Sequence, residues 1–175
     1  TQTTLRAYQA ESSEQLIGGD AAMARVGDFI LENDKIRIAI LSNQPSPGPG
    51  VFGGAMVDAD LRRDDARFRN GNGHDQLAEV FPFANLLAPR PGMDEIEIVE
   101  DGSNGKQAVV RVSGDGGFIL DALKFFNELA EPGPDTDPLV AGILASTFPD
   151  LKFRLRIETD YILEPGARYV RMVSR

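Results

Sequence analysis

The only histidine of the chain, His74, is followed directly by Asp75 in a segment rich in glycine and asparagine. An imidazole titrates near neutral pH, and a neighbouring carboxylate can orient it, so the pair has the residue types of a general acid or base or of a ligand contact. A lone histidine in a polar loop is also typical of an ordinary surface residue, and both interpretations stay open. We take His74 and Asp75 as candidate ligand-binding residues and assign no catalytic residue.

Four aspartates precede this pair at Asp58, Asp60, Asp64 and Asp65. Carboxylates in a flexible loop are the hard oxygen ligands that Ca²⁺ prefers, so these four residues are candidate calcium ligands. The alternative is a solvated acidic loop in a protein that is acidic throughout. Calcium is the one cofactor that the sequence suggests.

Asp58 and Asp60 are two residues apart, and on a strand they would lie on the same face. Two carboxylates on one face can resemble the acid pair of a glycosidase. The other interpretation is a strand end that meets solvent. The charged, glycine-rich segment between Leu61 and His74 predicts a long irregular loop.

Alternating apolar residues predict the strands that must position these groups. The clearest alternation covers 151–163, a turn follows at 164–167, and a return strand begins at Arg168. Two more hairpins are predicted over 28–41 and over 95–112. The three prolines between Ser42 and Gly50 predict an exposed loop. The fold class expected is mainly β: an antiparallel β-sandwich with one or two short peripheral helices.

Short helices are predicted at two places, over 75–80 behind an Asp75 cap and over 118–129 from apolar residues at helical spacing. Residues 1–20 are polar and weakly patterned, and we expect a leader segment that crosses the surface. Residues 21–175 are expected to form a single β-sandwich domain.

The last predicted strand lies at 168–173 and ends the sequence as an open hairpin. A sheet edge of this kind offers unpaired main-chain groups. We therefore expect the domain to be incomplete at its C-terminus, with the 168–173 edge pairing with further sequence of the same protein or with another chain.

Composition narrows the function classes. The chain has 175 residues, a net charge of −9 and no cysteine. The negative field disfavours nucleic acid as a partner, and the lack of cysteine excludes disulfides and thiolate chemistry. We predict no membrane-spanning segment, since no apolar run approaches the roughly 20 residues that a span requires.

Two stretches, 32–40 followed by 52–55 and then 157–166, resemble the galactose-mutarotase-like β-sandwich of aldose epimerases and of accessory domains in polysaccharide-active enzymes. The opening at 24–29 is similar to the start of Gram-negative cell-envelope lipoproteins of unassigned role. Catalytic members of the epimerase family use two histidines and a glutamate. This chain has one histidine, so the resemblance implies the fold without the sugar-converting activity.

These observations together favour a non-catalytic module for binding, scaffolding or self-assembly in an exported envelope or surface protein. The expected location is extracytoplasmic: periplasm, outer membrane or cell surface. The alternative is a carbohydrate-active enzyme or a carbohydrate-binding domain with its site in the 58–75 loop and a glycan as partner. Against that alternative, the chain has no tryptophan, the side chain that most often forms a stacking platform for a sugar.

Overall fold

The computed structural model describes residues 4–48, 50, 52–83, 87–118 and 155–175. Within these ranges the chain is mainly β and forms two antiparallel sheets. The strands are β1 (Arg6–Gln9), β2 (Phe29–Glu32), β3 (Ile36–Ile40), β4 (Met56–Leu61), β5 (Leu87–Arg90), β6 (Ile96–Asp101), β7 (Ala108–Phe118), β8 (Arg156–Leu163) and β9 (Arg171–Ser174). Two 3₁₀ helices lie at Ser13–Gln15 and Ala66–Phe68.

Sheet A has the strand order β1-β2-β3-β4, and sheet B has the order β5-β7-β8-β9. Strand β7 is long enough to pair with two strands along one edge, with β6 through Ala108–Val112 and with β5 through Asp115–Phe118. Its other edge pairs with β8. This arrangement is the antiparallel β-sandwich that the sequence predicts.

The two sheets pack face to face through one apolar layer. Sheet A contributes the alternate residues of its strands, among them Leu31, Ile38 and Ile40. Sheet B contributes Val110 and Tyr161 with their neighbours. The isoleucines at 36, 38 and 40 therefore share one face, as the alternation predicts.

The outer face of sheet A is covered as well. Ile30, Ala39 and Val57 point away from sheet B and pack with apolar residues of the segments before β2 and after β4, such as Ile17 and Phe81. Both faces of sheet A are therefore buried at β2. This explains why all four residues of β2 are buried and why its sequence does not alternate between apolar and polar residues. One end of this outer face stays polar, and there the candidate site lies.

The structure confirms the three predicted hairpins, as β2–β3, β6–β7 and β8–β9. The predicted helix over 75–80 is wrong. The Asp75 carboxylate does accept a hydrogen bond from the Leu77 N–H, but residues 75–79 form no helical turn, and Val80 pairs with Met56 of β4. Pairing with a distant strand thus outweighs a helix of barely more than one turn.

Residues 4–20, the described part of the predicted leader segment 1–20, contribute a strand and a 3₁₀ helix. Leu5, Ala7, Ala10 and Ile17 are buried, and β1 forms one edge of sheet A. The apolar positions are too few to reveal a strand of four residues in the sequence alone.

The predicted helix over 118–129 lies outside the described residues, except that Phe118 ends strand β7. Across the described ranges, no helix has the length and hydropathy that crossing a bilayer requires.

Candidate functional site

Four charged residues stand side by side on the outer face of sheet A, one on each strand. The register pairs Arg6 with Glu32, Glu32 with Arg37, and Arg37 with Asp60. Opposite charges at facing positions attract across each strand pair. The sheet therefore carries a row of alternating charge from β1 to β4.

Glu32 is the centre of this row. Its side chain is only 1% exposed, and its Oε1 lies 2.5 Å from Nε of Arg6. Its Oε2 lies 2.8 Å from Nε of Arg37 and 2.8 Å from Nη1 of Arg62, which follows β4. We call Glu32 and its three partners, Arg6, Arg37 and Arg62, the Glu32 cluster. A carboxylate this deeply buried requires such partners, because an isolated buried charge is strongly unfavourable.

The pKa of Glu32 reflects this competition. Burial by itself would raise it, but the positive charges of Arg37, Arg62 and Arg6 together hold the pKa below its ordinary value. Glu32 is therefore ionised at neutral pH and acts as a fixed counter-charge rather than as a proton donor.

Arg37 also connects the sheet to the segment before it. Its Nη2 donates to the carbonyl of Gln15 at 2.7 Å, and its Nη1 donates to the carbonyl of Leu16 at 3.3 Å. Its side chain is 13% exposed. Arg37 thus fixes the 3₁₀ helix at Ser13–Gln15 against the end of the sheet, where that helix forms one wall of the site.

Asp60, at the other end of the row, holds the opposite wall. Its Oδ2 lies 2.5 Å from Nη1 of Arg63 and accepts the main-chain N–H of His74 at 2.8 Å. Its Oδ1 accepts the N–H of Leu61. Partial burial would raise the pKa of Asp60, but these donors and the Arg63 charge lower it. One carboxylate therefore ties together both ends of the loop between β4 and His74.

A cleft of about 560 Å³ opens between these two walls, which is within the size range of small-molecule sites. Its basic lining residues are Arg6, Arg37, Arg62, Arg63 and Arg69. Its acidic lining residues are Glu14, Glu32, Asp34, Asp60 and Asp64.

Two aromatic rings line the same cleft. The guanidinium of Arg6 lies 4.7 Å from the ring centroid of Tyr8, and that of Arg63 lies 4.8 Å from the ring of Phe68. Cation–π contacts of this kind restrict the long arginine side chains. The cleft is thus polar, with its cationic groups held in place by neighbouring rings and carboxylates.

The predicted calcium ligands separate in the structure. Asp58 is buried beneath residues 23–24, Asp60 is bound to Arg63, and Asp65 caps the second 3₁₀ helix and pairs with Arg67. Asp64 is exposed at the cleft. In the described part of the chain, no three His, Asp or Glu side chains are arranged to hold a metal ion. Calcium binding stays a prediction, which thermal melts with calcium and with a chelator test.

Asp58 and Asp60 share a face of β4, but their surroundings differ. Both side-chain oxygens of Asp58 accept main-chain N–H groups, from Met23 at 2.7 Å and from Ala24 at 3.2 Å. Burial raises the pKa of Asp58 to about 6, with further contributions from the negative charges of Asp75 and Asp28. Asp58 does not line the cleft, so the two carboxylates do not face a common substrate space.

The two residues of the His74–Asp75 pair also differ in exposure. The His74 ring is exposed and lies 5.7 Å from the Phe68 ring, beside the cleft. Asp75 is fully buried, and its Oδ1 accepts the N–H groups of Ala59 and Leu77. The side chain of Asp75 is therefore a structural link to β4, and it is His74 that lies near the candidate site.

Sequence reasoning missed Arg6, Arg37 and Arg62 and the central Glu32. One signal was available: Glu32 and Arg37 occupy facing positions in the predicted 28–41 hairpin. The contribution of Arg6 depends on β1, whose pairing the sequence does not reveal.

A scan against protein-family models, a search of curated proteins and a search of solved structures each found no match to this chain. The resemblance to galactose-mutarotase-like domains therefore stays a prediction.

Proposed function

We propose that this domain is a non-catalytic binding module and that its ligand is a carbohydrate that occupies the cleft beside the 58–75 loop. The observation that supports it best is the Glu32 cluster, which fixes two partly exposed arginines, Arg6 and Arg62, at the cleft. Planar, multidentate donors held in place suit ligands rich in oxygen acceptors.

The charges of the cleft support binding rather than catalysis. Glycoside hydrolysis requires a carboxylic acid that is protonated near neutral pH, close to a second carboxylate. The pKa values of Glu32 and Asp60 are both lowered by their arginine partners. Asp58, whose pKa is raised to about 6, is buried outside the cleft.

A glycan array that contains neutral and acidic oligosaccharides tests this function. We expect the wild type to bind one class of glycan on the array and the Phe68→Ala variant not to bind it. Phe68 lines the cleft and packs beneath Arg63. Phe83→Ala is the matched control, because Phe83 is 61% exposed and lies outside the cleft. An empty array, or equal losses in both variants, would overturn the proposal.

The bound glycan should also be recovered intact. Mass spectrometry of the glycan after prolonged incubation with the protein measures this directly. Shortened or epimerised products that disappear in the Phe68→Ala variant would establish an enzyme in place of a binding module.

The proposed location is extracytoplasmic, in the envelope or at the cell surface. It is supported by the similarity of residues 24–29 to envelope lipoproteins and by the absence of cysteine. Fractionation of cells that express the natural gene tests it, with recovery in the cytosol as the contrary outcome.

A second candidate function is assembly through β9. Glu158 and Arg175 exchange both main-chain hydrogen bonds, at 2.9 Å each, so the alternation places the main-chain groups of Met172 and Ser174 on the far edge of β9. Among the described residues, β9 pairs with β8 alone. A strand from further sequence of the same protein or from another chain could add there.

A proline at Ser174 tests assembly, because it removes a donor that faces outward while the bonds to β8 remain. We expect light scattering to show an oligomer for the wild type and for Ser174→Ala, and a monomer for Ser174→Pro. A monomeric wild type at high concentration would contradict self-assembly.

A further inference from the structure

The Glu32 cluster carries more positive than negative charge. Three guanidinium groups surround a single carboxylate, which leaves a formal surplus of two positive charges at one end of the cleft. This is unusual in a chain whose net charge is −9. An anion that approaches Arg6 and Arg62 would therefore find a local attraction, although the lining of the cleft as a whole has five basic and five acidic residues.

Arg6 and Arg62 can still donate to a ligand. The ion pairs with Glu32 use Nε of Arg6 and Nη1 of Arg62, and a guanidinium carries several further N–H donors. Their side chains are 59% and 37% exposed. Arg37, in contrast, is 13% exposed and directs its other donors to the carbonyls of Gln15 and Leu16.

Glu32 prepares these two arginines for a ligand. Without a counter-charge, neighbouring guanidinium groups would repel one another and separate. The shared carboxylate holds them close together, and the Tyr8 ring lies against Arg6. Binding a ligand would therefore require little ordering of the long side chains, which is a large part of the cost of recognition.

The remaining lining favours a ligand that also carries hydroxyl groups. Glu14, Asp34 and Asp64 add negative charge around the same cleft, and Asp34 is paired with Lys35 at 2.7 Å. These carboxylates would repel a polyanion, but they accept hydrogen bonds from sugar hydroxyls. Ser12, Gln15 and Asn70 offer neutral polar groups for the same purpose.

We propose that the cleft binds an acidic saccharide whose carboxylate lies against Arg6 and Arg62, a proposal that rests on the binding function argued above. The anionic group is recognised by the surplus charge of the Glu32 cluster. The hydroxyl groups are recognised by the surrounding acceptors and donors. The class of ligand is a uronate-containing oligosaccharide.

Calorimetric titration of the whole chain tests the proposal with a galacturonate disaccharide and with the galactose disaccharide of the same linkage. We expect the uronate to bind at least about tenfold more tightly, because a charge-assisted hydrogen bond is lost in the neutral sugar. Added salt should weaken uronate binding.

Variants locate the site. Arg6→Gln and Arg62→Gln should each weaken uronate binding about tenfold or more. Arg67→Gln is the matched control, since it removes the same charge from a side chain that is 81% exposed and outside the cleft, and its affinity should stay within about twofold. Circular dichroism of each variant checks that it is folded.

The outcomes separate the two proposals. If the neutral disaccharide binds in the cleft as tightly as the uronate, the acidic class is wrong and the binding function stands. If inorganic phosphate competes with the uronate at equal affinity, the cleft recognises an oxyanion alone, and the proposal of a saccharide ligand is wrong. If no oligosaccharide of the array or of the titration binds, both proposals fail.

Discussion

The side-chain Nδ2 of Asn33 donates to the main-chain carbonyl of Ala167, 2.9 Å away, across 134 positions of sequence. The same nitrogen donates to the carbonyl of Glu164 at 2.8 Å. Asn33 belongs to the turn between β2 and β3 in sheet A, and both carbonyls belong to the turn between β8 and β9 in sheet B. One buried amide thus joins the corresponding ends of the two sheets.

Replacement of Asn33 by alanine should destabilise the domain by about 2–3 kcal/mol, because the carbonyls of Glu164 and Ala167 and the N–H groups of Lys35 and Ile36 would all lose one buried partner. Chemical denaturation measures the change in the free energy of unfolding.

The matched control for that change is Asn104→Ala. Asn104 accepts the N–H of Lys106 in the same kind of turn, between β6 and β7, but it is exposed. Its loss should cost about 0.5 kcal/mol or less. Equal losses for the two variants would show that Asn33 stabilises only its own turn.

Tyr161→Phe should also destabilise the domain. The Tyr161 side chain is fully buried, and its hydroxyl donates to the carbonyl of Gly54 at 2.8 Å, which links sheet B to the segment before β4. The variant keeps the ring and leaves the buried carbonyl unpaired, so we expect a loss of about 1–2 kcal/mol. Tyr169→Phe, at a side chain 64% exposed, should change the free energy of unfolding by no more than about 0.5 kcal/mol.

The parts of the structure that local sequence patterns determine were predictable. Strand β3 follows from the alternate isoleucines at 36, 38 and 40, which must share a buried face. Strand β8 follows from the alternation up to Leu163, and the turn after it from Glu164-Pro165-Gly166-Ala167. In each case the signal lies within about ten residues, which is the range that periodicity covers.

The candidate site was less predictable because its geometry is non-local. Glu32 meets Arg6 across 26 positions of sequence, and Asp58 is covered by Met23 and Ala24 across about 35 positions. The Asp75 cap signal is present in the sequence, but the pairing of Val80 with Met56 decides the conformation of that segment. Such contacts depend on sheet register, which composition and spacing do not determine.

Stability should depend on pH through Asp58. Its pKa is about 6 in the folded protein and 3.8 for an ordinary aspartate, so the folded state binds more protons between these values. The stabilisation that protonated Asp58 contributes is complete below about pH 3.8 and is lost as the pH rises through about 6. The full effect is about 3 kcal/mol.

The wild type and Asp58→Asn separate this effect from that of other groups. Denaturation at several pH values between 3.5 and 7 gives the free energy of unfolding of each. The free energy of unfolding of the wild type minus that of the variant should decrease as the pH rises across that window. A difference that stays constant or increases with pH would mean that folding does not raise the pKa of Asp58.

Glu32→Gln should be among the most destabilising single substitutions, because it removes the counter-charge of three arginines. Breaking a buried ion pair on one side leaves uncompensated charge, and we expect a loss of about 3 kcal/mol. The matched control is Glu164→Gln, which breaks an exposed pair with Arg171 and should change stability by about 0.5 kcal/mol or less.

The sign of the pH dependence distinguishes Glu32 from Asp58. The pKa of Glu32 is lowered in the folded state, so its contribution is present above the ordinary glutamate pKa and is lost as the pH falls through the folded value. The wild type should therefore lose part of its stability advantage over Glu32→Gln as the pH falls. Its stability relative to Asp58→Asn should increase over the same pH range. If the advantage over Glu32→Gln instead grew as the pH falls, the arginines would not hold Glu32 in its ionised form, and the binding proposals would lose the fixed counter-charge on which they depend.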